Sequence, residues 1–174
     1  VGMGNIGAAV ARRGRLGFNM PILYSGNSRK TELEQELGAQ FRSLDQLLAE
    51  ADFVCLVVPL SEKTRHLISH RELGLMKKSA ILVNISRGPV VDEPALIEAL
   101  QNGTIRGAGL DVYEKEPLSD SPLFQLKNAV TLPHIGSATH ETREAMANRA
   151  LANLRSALLG ERPQDLVNPQ VFKG

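Results

Sequence analysis

The sequence has no tryptophan, one cysteine, and only two tyrosines and five phenylalanines. A single cysteine, Cys55, excludes a disulfide within the chain, so the fold must rest on buried aliphatic surface rather than covalent cross-links. Cys55 lies inside an apolar run and reads as a small buried hydrophobe. Long hydrophobic runs are absent as well. The longest, such as Phe53 to Pro59, fall far short of the roughly 20 residues a spanning helix needs. No membrane association is expected. Charge of one sign is also lacking: 20 Lys and Arg against 19 Asp and Glu give a net charge of +1. The basic residues are scattered, which argues against a nucleic-acid partner, since that would need a clustered basic face. Of the four histidines, His66, His70, His134 and His140, the first pair has helix-like spacing. No cysteine or carboxylate pattern completes a site around it, so no metal is expected.

What is present is a 174-residue chain, 43% hydrophobic, enough for one domain with a core. Apolar strand-like runs alternate with amphipathic helical segments, the pattern of a parallel sheet wrapped by helices. A first helix is predicted from Gly4 to about Gly14 to Gly17, and a strand over Pro21 to Tyr24. A helix over Ser28 to Leu37 stops at Gly38, and a short strand follows at Gln40 to Phe41. Ser43 caps a helix through Glu50, and Phe53 to Val58 reads as a fully buried strand ended by Pro59. Glu72 to Met76 reads as a short helix, Ala80 to Ile85 as a buried strand, and Glu93 to Gln101 as a helix closed by Asn102 and Gly103. Gly107 to Leu110 and Ala129 to Leu132 are the last strands. A long helix from about His140 to Leu159, capped by Thr139 and stopped by Gly160, precedes a tail. The expected architecture is an α/β, Rossmann-type doubly wound parallel sheet with helices on both faces. Residues 1–160 would form the dinucleotide-binding domain and 161–174 the tail. The chain starts at Val1 with a glycine motif at once, so its first strand is expected to be truncated and the chain to be a fragment.

That motif is Gly2-Met3-Gly4-Asn5-Ile6-Gly7. In a G-x-G-x-x-G turn the first glycine allows the tight turn, the second admits a pyrophosphate, and the third lets helix and strand pack closely. The free N–H groups and dipole at the helix start favour an anion. Glycines also serve plain turns, and the βαβ pattern that follows is what favours the nucleotide reading. The end of the second strand commonly carries an acid that binds ribose hydroxyls. Here the segment from Tyr24 is Ser25-Gly26-Asn27-Ser28-Arg29-Lys30, with no acid until Glu32. Ser25, Asn27 and Ser28 can hydrogen-bond a ribose, and Arg29 and Lys30 can pair with a 2′-phosphate. NADP(H) is therefore the expected cofactor, with NAD(H) also accepted; the alternative is a solvated basic turn.

Three further motifs fall at predicted strand ends, where ligands bind in doubly wound sheets. They are Asn84-Ile85-Ser86-Arg87-Gly88-Pro89-Val90-Val91-Asp92, then Gly107 to Pro117 with Asp111 and Glu116, then Leu132-Pro133-His134-Ile135-Gly136-Ser137-Ala138-Thr139. In this order and spacing they resemble the signature of the D-2-hydroxyacid dehydrogenase family, over essentially the whole chain. The stretches Gly17 to Tyr24 and His134 to Arg143 are most similar to the bacterial glyoxylate/hydroxypyruvate reductase branch. The resemblance implies reduction of a small 2-keto acid by a catalytic set of Arg87, Glu116 and His134. Arg87 would grip the substrate carboxylate, for which its planar fork is suited. His134 would be the general acid, and Glu116 would hold its other ring nitrogen and favour the protonated imidazole. Asp111 would orient the nicotinamide carboxamide, with Gly136 and Ser137 beside the ring. Val58 and Pro59 would line the cleft, Ile85 and Ser86 would flank it, and Thr64 would contact the cofactor or stabilise its own loop. The resemblance also implies a homodimer in the cytoplasm.

Each residue has an ordinary alternative: a surface arginine, a loop histidine, a glutamate ending a turn. Only their joint placement behind a glycine motif favours chemistry. Transcriptional corepressors also resemble this family and use the fold as a dinucleotide-sensing module; some retain the same three residues. Phosphoglycerate and lactate dehydrogenases stay open as relatives. The formate dehydrogenase branch carries Gln where this chain has Glu116.

Overall fold

The computed structural model describes residues 1–172; Lys173 and Gly174, the last two residues of the expected tail, lie outside the described residues. The chain forms two compact units, Val1–His134 and the residues from Ile135 on. No helix among the described residues is long and apolar enough to cross a membrane.

The first unit contains two parallel sheets with helices on both sides. The smaller pairs β1 (Leu23–Tyr24) with β2 (Gln40–Phe41). The larger runs in the order β3 (Phe53–Leu56), β4 (Ile81–Asn84), β5 (Gly107–Leu110) and β6 (Ala129–Thr131). Its register sets Leu56 opposite Asn84, Asn84 opposite Leu110, and Leu110 opposite Thr131. The carboxyl ends of all four strands therefore reach one edge, and the loops that follow them share it.

Five helices wrap the sheets: α1 (Asn5–Phe18), α2 (Thr31–Leu37), α3 (Leu44–Glu50), α4 (His70–Leu75) and α5 (Glu93–Gln101). Local chemistry starts and stops them. Ser43 and Gln46 form a capping box on α3, and the Asp92 side chain accepts the Ala95 N–H at the start of α5. Ala95, Leu96, Ala99 and Leu100 put the buried face of α5 on the core, where Leu48, Leu56, Ile68, Leu82 and Ile105 are sealed from solvent.

The glycine segment at Val1–Gly2 joins the two sheets. Gly2 donates its N–H to Ser25 O at 2.8 Å, and Val57 donates to Val1 O at 2.9 Å. Beside it, a cavity of about 540 Å³ is lined by Val10, Ile22, Leu23, Phe53 and Cys55 among others.

Two sequence expectations need correction. The strand over Phe53 to Val58 is shorter and not fully buried: Phe53 is 58% exposed at the start of β3, the end strand of its sheet, whose outer side is bonded to Val1 at Cys55 O and at the Val57 N–H. The helix expected from Ser28 begins at Thr31 instead. Ser28 to Lys30 stay in the turn, where the Tyr24 hydroxyl holds the Lys30 N–H at 2.7 Å. The first and last predicted helices, and those at Ser43 and Glu93, lie where their spacing and caps place them, to within a residue or two.

In the second unit, α6 (His140–Leu158) starts at Thr139, whose side chain accepts the Thr142 N–H. The tail is tied to this helix: Arg149 and Asn153 both donate to the Asp165 carboxylate, at 2.5 and 2.6 Å. These bonds pull the Asp165 carboxyl down to about 2.

Gly88 lies against the Tyr113–Glu114 peptide, and a Cβ there would sit 1.8 Å from the Tyr113 carbonyl. Backbone cannot yield as a flexible side chain can. Gly88→Ala is predicted to destabilise the unit by roughly 3 kcal/mol or more, the upper end for overpacking. Urea unfolding monitored by circular dichroism checks this, and an unchanged midpoint would refute the tight fit.

Candidate active site

The shared strand edge gathers the residues singled out in sequence. The loop after β4 is organised by buried Asn84: its Oδ1 accepts from the Ser86 N–H and hydroxyl, and its Nδ2 donates to Arg87 O. A buried amide bonded through both its oxygen and its nitrogen fixes the turn that presents Arg87. Arg87 Nη1 donates to Ser86 O at 2.7 Å. Gly88, with no side chain, lets this loop close onto the loop after β5.

That second loop carries buried Asp111, whose N–H reaches Asn84 O, and then Tyr113 and Glu116. The Tyr113 hydroxyl donates to Leu132 O at 2.8 Å, tying the loop to the one after β6. Glu116 Oε1 accepts the Tyr113 N–H at 2.9 Å, which leaves Oε2 for His134 Nδ1 at 2.6 Å. His134 is the last residue of the first unit and holds a backbone φ of 54°, a left-handed conformation a residue with a Cβ adopts only at some cost. A cavity of about 450 Å³ adjoins the pair, lined by Leu118, Phe124, Thr131 and Pro133.

Burial is the largest single influence on the Glu116 carboxyl and pushes it up. The hydrogen bonds from His134 and the Tyr113 N–H, with the charges of His134 and Arg87, outweigh it and leave the carboxyl below its ordinary value. Glu116 is thus an anion that orients the imidazole through Nδ1. The ring's Nε2 is then free to exchange a proton with a bound molecule. Arg87, Glu116 and His134 are brought together as one electrostatic group.

The nucleotide motif forms a cradle. Gly2 has a φ of 90°, and a Cβ there would lie 2.8 Å from Val57 O; one on Gly7 would lie 2.3 Å from Gly2 O. Above Gly4 there is open space, since a Cβ there meets nothing within 4 Å. No side chain caps α1 and no acid stands in its first turn. The Asn5, Ile6 and Gly7 N–H groups therefore face that space without helix partners. This fits the pyrophosphate of a dinucleotide. Val58 packs beside Gly2. Thr64 bonds within its own loop, to Pro59 O at 2.7 Å and from the Ser61 N–H. Gly136 and Ser137 belong to the second unit. Asn27 and Ser28 lie in the exposed turn after β1, and Arg29 is held there by Glu34.

Two features escaped the sequence reading. Glu34 was a plain helix residue until the later start of α2 placed it beside Arg29. His66, weighed only as half of a metal pair with His70, instead puts Nε2 2.6 Å from Glu114 Oε1. His70 opens α4 and faces Glu98 at 3.7 Å. Glu114 and Glu93 are bonded reciprocally, the backbone N–H of each donating to the other's carboxylate, so His66, Glu114 and Glu93 together link three loops of the strand edge. Their sequence separation of 48 residues left no local signal.

Residues 1–136 match the D-isomer specific 2-hydroxyacid dehydrogenase family, in its NAD binding domain. Glyoxylate/hydroxypyruvate reductase B of Serratia proteamaculans is 58% identical over 99% of this chain and 54% of its own length. The chain spans about half the length of the curated relatives it matches. The TT0316 protein of Thermus thermophilus has a similar structure, with a TM-score of 0.89 at 47% identity over 95% of this chain and 51% of that one. So does an NADPH-dependent glyoxylate/hydroxypyruvate reductase of Sinorhizobium meliloti, solved with NADP and malonate. Its TM-score is 0.83 at 36% identity, over 90% of this chain and 48% of that one.

The Glu116 carboxyl, followed by carbon NMR, is predicted to titrate below its ordinary value of 4.5, and to move up in His134→Leu. Because its folded value is depressed, its stabilising contribution is complete above pH 4.5 and is lost as pH falls through the folded value. A midpoint unchanged by His134→Leu would show that the pair does not form.

Proposed function

The chain belongs to the D-isomer specific 2-hydroxyacid dehydrogenase family, and from that premise we propose that it is the dinucleotide-binding and proton-transferring half of a glyoxylate/hydroxypyruvate-type 2-keto acid reductase. The observation that carries the reading is the Glu116–His134 contact of 2.6 Å within reach of the Arg87 charge, on the strand edge that also holds the Gly2–Gly7 cradle. Residues 1–160 would act as the dinucleotide-binding domain, and 161–174 as a tail returning to a substrate domain.

A bound reduced nicotinamide supplies the hydride. Arg87 binds the substrate carboxylate with its planar fork and polarises the adjacent carbonyl. As the carbonyl carbon takes the hydride, His134 Nε2 gives its proton to the carbonyl oxygen, and the product is the 2-hydroxy acid. Glu116 stabilises the imidazolium before transfer and fixes the ring's orientation throughout. In the reverse direction the neutral ring takes the proton back. Asp111 would meet the nicotinamide carboxamide. Ser25, Asn27, Ser28 and Arg29 would meet the adenosine ribose, and the absence of an acid from that turn favours NADPH over NADH.

Joining this chain to the part of the Serratia relative that it does not cover gives the enzyme to assay. Hydroxypyruvate reduction is expected with both dinucleotides and faster with NADPH. His134→Ala is expected to lower kcat by about 10² to 10⁴, the range for general acid catalysis. Arg87→Lys is expected to raise KM for the keto acid, since a point charge replaces a bidentate fork. Dinucleotide binding without turnover on any small 2-keto acid would replace this reading with a dinucleotide-sensing module.

A further inference from the structure

Behind the turn after β1 stand a phenol and a carboxylate, Tyr24 and Glu34, that the chemistry above leaves unused. Tyr24 is 1% exposed and packs edge-on against Phe41, with ring centres 5.3 Å apart. Its hydroxyl accepts the Lys30 N–H at 2.7 Å and donates to Glu34 Oε1 at 2.5 Å. Glu34 in turn receives Arg29 through two bonds, from Nε to Oε1 at 3.1 Å and from Nη2 to Oε2 at 2.7 Å. This grip occupies one edge of the guanidinium and leaves Nη1 on the other. The Arg29 side chain is 66% exposed, its carboxylate partner only 17%. The base stands outside, and the acid that holds it stands behind, anchored on a buried phenol.

The same turn lines a cavity of about 590 Å³ that also includes Gly4, Asn5, Arg12 and Lys30. It therefore reaches from the glycine cradle to the basic residues. Arg12 is itself held by Glu36 through two bonds, at 2.6 and 2.7 Å. Both arginines of this cavity thus arrive already matched with a glutamate from α2.

Such a match has two physical effects. It restrains a long side chain, so less freedom is lost when Arg29 meets a ligand. It also offsets the arginine's charge. The Arg29 bonds first, and then the Tyr24 hydroxyl, hold the Glu34 carboxyl below its usual range against the opposing effect of burial. A 2′-phosphate would feel attraction from Arg29 and repulsion from Glu34. An unphosphorylated ribose carries no charge and would feel little of either.

We propose that Glu34 is a specificity-determining residue for the cofactor: anchored by Tyr24, it positions Arg29 and tempers its charge, so that the site favours a 2′-phosphate while still admitting the unphosphorylated dinucleotide. This rests on the reading that the turn meets the adenosine ribose. Glu34 is a positioning residue, acting through Arg29.

The test measures dissociation constants of NADPH and NADH for this chain by titrating their fluorescence, with no turnover required. In E34Q the amide oxygen still accepts from the Tyr24 hydroxyl and Arg29 Nε, while the charge and the Nη2 bond are lost. The preference for NADPH, as the ratio of the two constants, should rise about threefold, within the range set by a solvent-facing ion pair. The rise should shrink as salt is added. E34D keeps the charge and should leave the ratio near its native value. Thermal unfolding of each variant confirms that it is folded. R29A separates the two readings. If R29A lowers the ratio and E34Q does not raise it, the proposal is overturned and the cofactor reading stands. If neither variant moves the ratio, the turn does not meet the phosphate and both fall. An equal rise in E34D and E34Q would make side-chain length rather than charge the cause, and would overturn the proposal too.

Discussion

The close approach of Gly88 to the Tyr113–Glu114 peptide governs the strand edge where Arg87, Glu116 and His134 come together. Arg87 lies one residue before that contact and Glu116 two residues after it, so the space left by a missing side chain sets how near they come. Asn84 holds one loop in shape from within, and Tyr113 ties the other to Leu132, two residues before His134. Backbone contact on one side and buried hydrogen bonds on the other leave the three functional side chains little room to drift. The parallel register beneath them, with Leu56, Asn84, Leu110 and Thr131 side by side, brings the loops to a common level.

On that frame the same electrostatic device recurs. Carboxylates stand behind cationic or protonatable groups: Glu116 behind His134, Glu34 behind Arg29, Glu114 behind His66. Each acid is in turn held by a second donor, the Tyr113 N–H, the Tyr24 hydroxyl and the Glu93 N–H respectively. A carboxylate held by two partners is a fixed acceptor, so it can orient what it binds without reorganising itself. For His134 this leaves one ring nitrogen to face a ligand; for Arg29 it leaves one edge of the guanidinium. The electrostatic group at the strand ends and the cradle at Gly2–Gly7 lie in the same compact unit, which matches a family defined by its NAD binding domain. The chain spans about half the length of the curated relatives it matches.

Much of this architecture is written in short-range patterns. The capping box at Ser43, the Asp92 cap with Pro94 in the first turn, and the Gly2–Gly7 motif each act within a few residues of themselves, and each element lies close to its predicted place. The same is true of the order of strands and helices, because helical and extended periodicities differ within a single turn. Arg87, Glu116 and His134 were singled out because they match motifs of the family the chain resembles, in the segments that follow predicted strands. Where the reading failed, packing had overridden a local preference. Ser28 to Lys30 look helical in isolation but belong to a turn held by Tyr24, and Phe53 looks buried but opens the end strand of its sheet.

Sequence alone determined the alternation of strands and helices, the cradle for a dinucleotide, and which three residues stand at the strand ends. It did so because periodicity, caps and glycine spacing are properties of neighbouring residues. Glu116 meets His134 across 18 residues, a pair the family resemblance implied, whereas tertiary structure alone decided that Glu114 meets His66 across 48. Glu34 meets Arg29 across only five, yet the contact depends on where α2 begins and on a phenol buried against Phe41. Ion pairs carry no periodicity and any acid can answer any base, so their pairing is settled only when the packed sheet fixes which loops lie side by side.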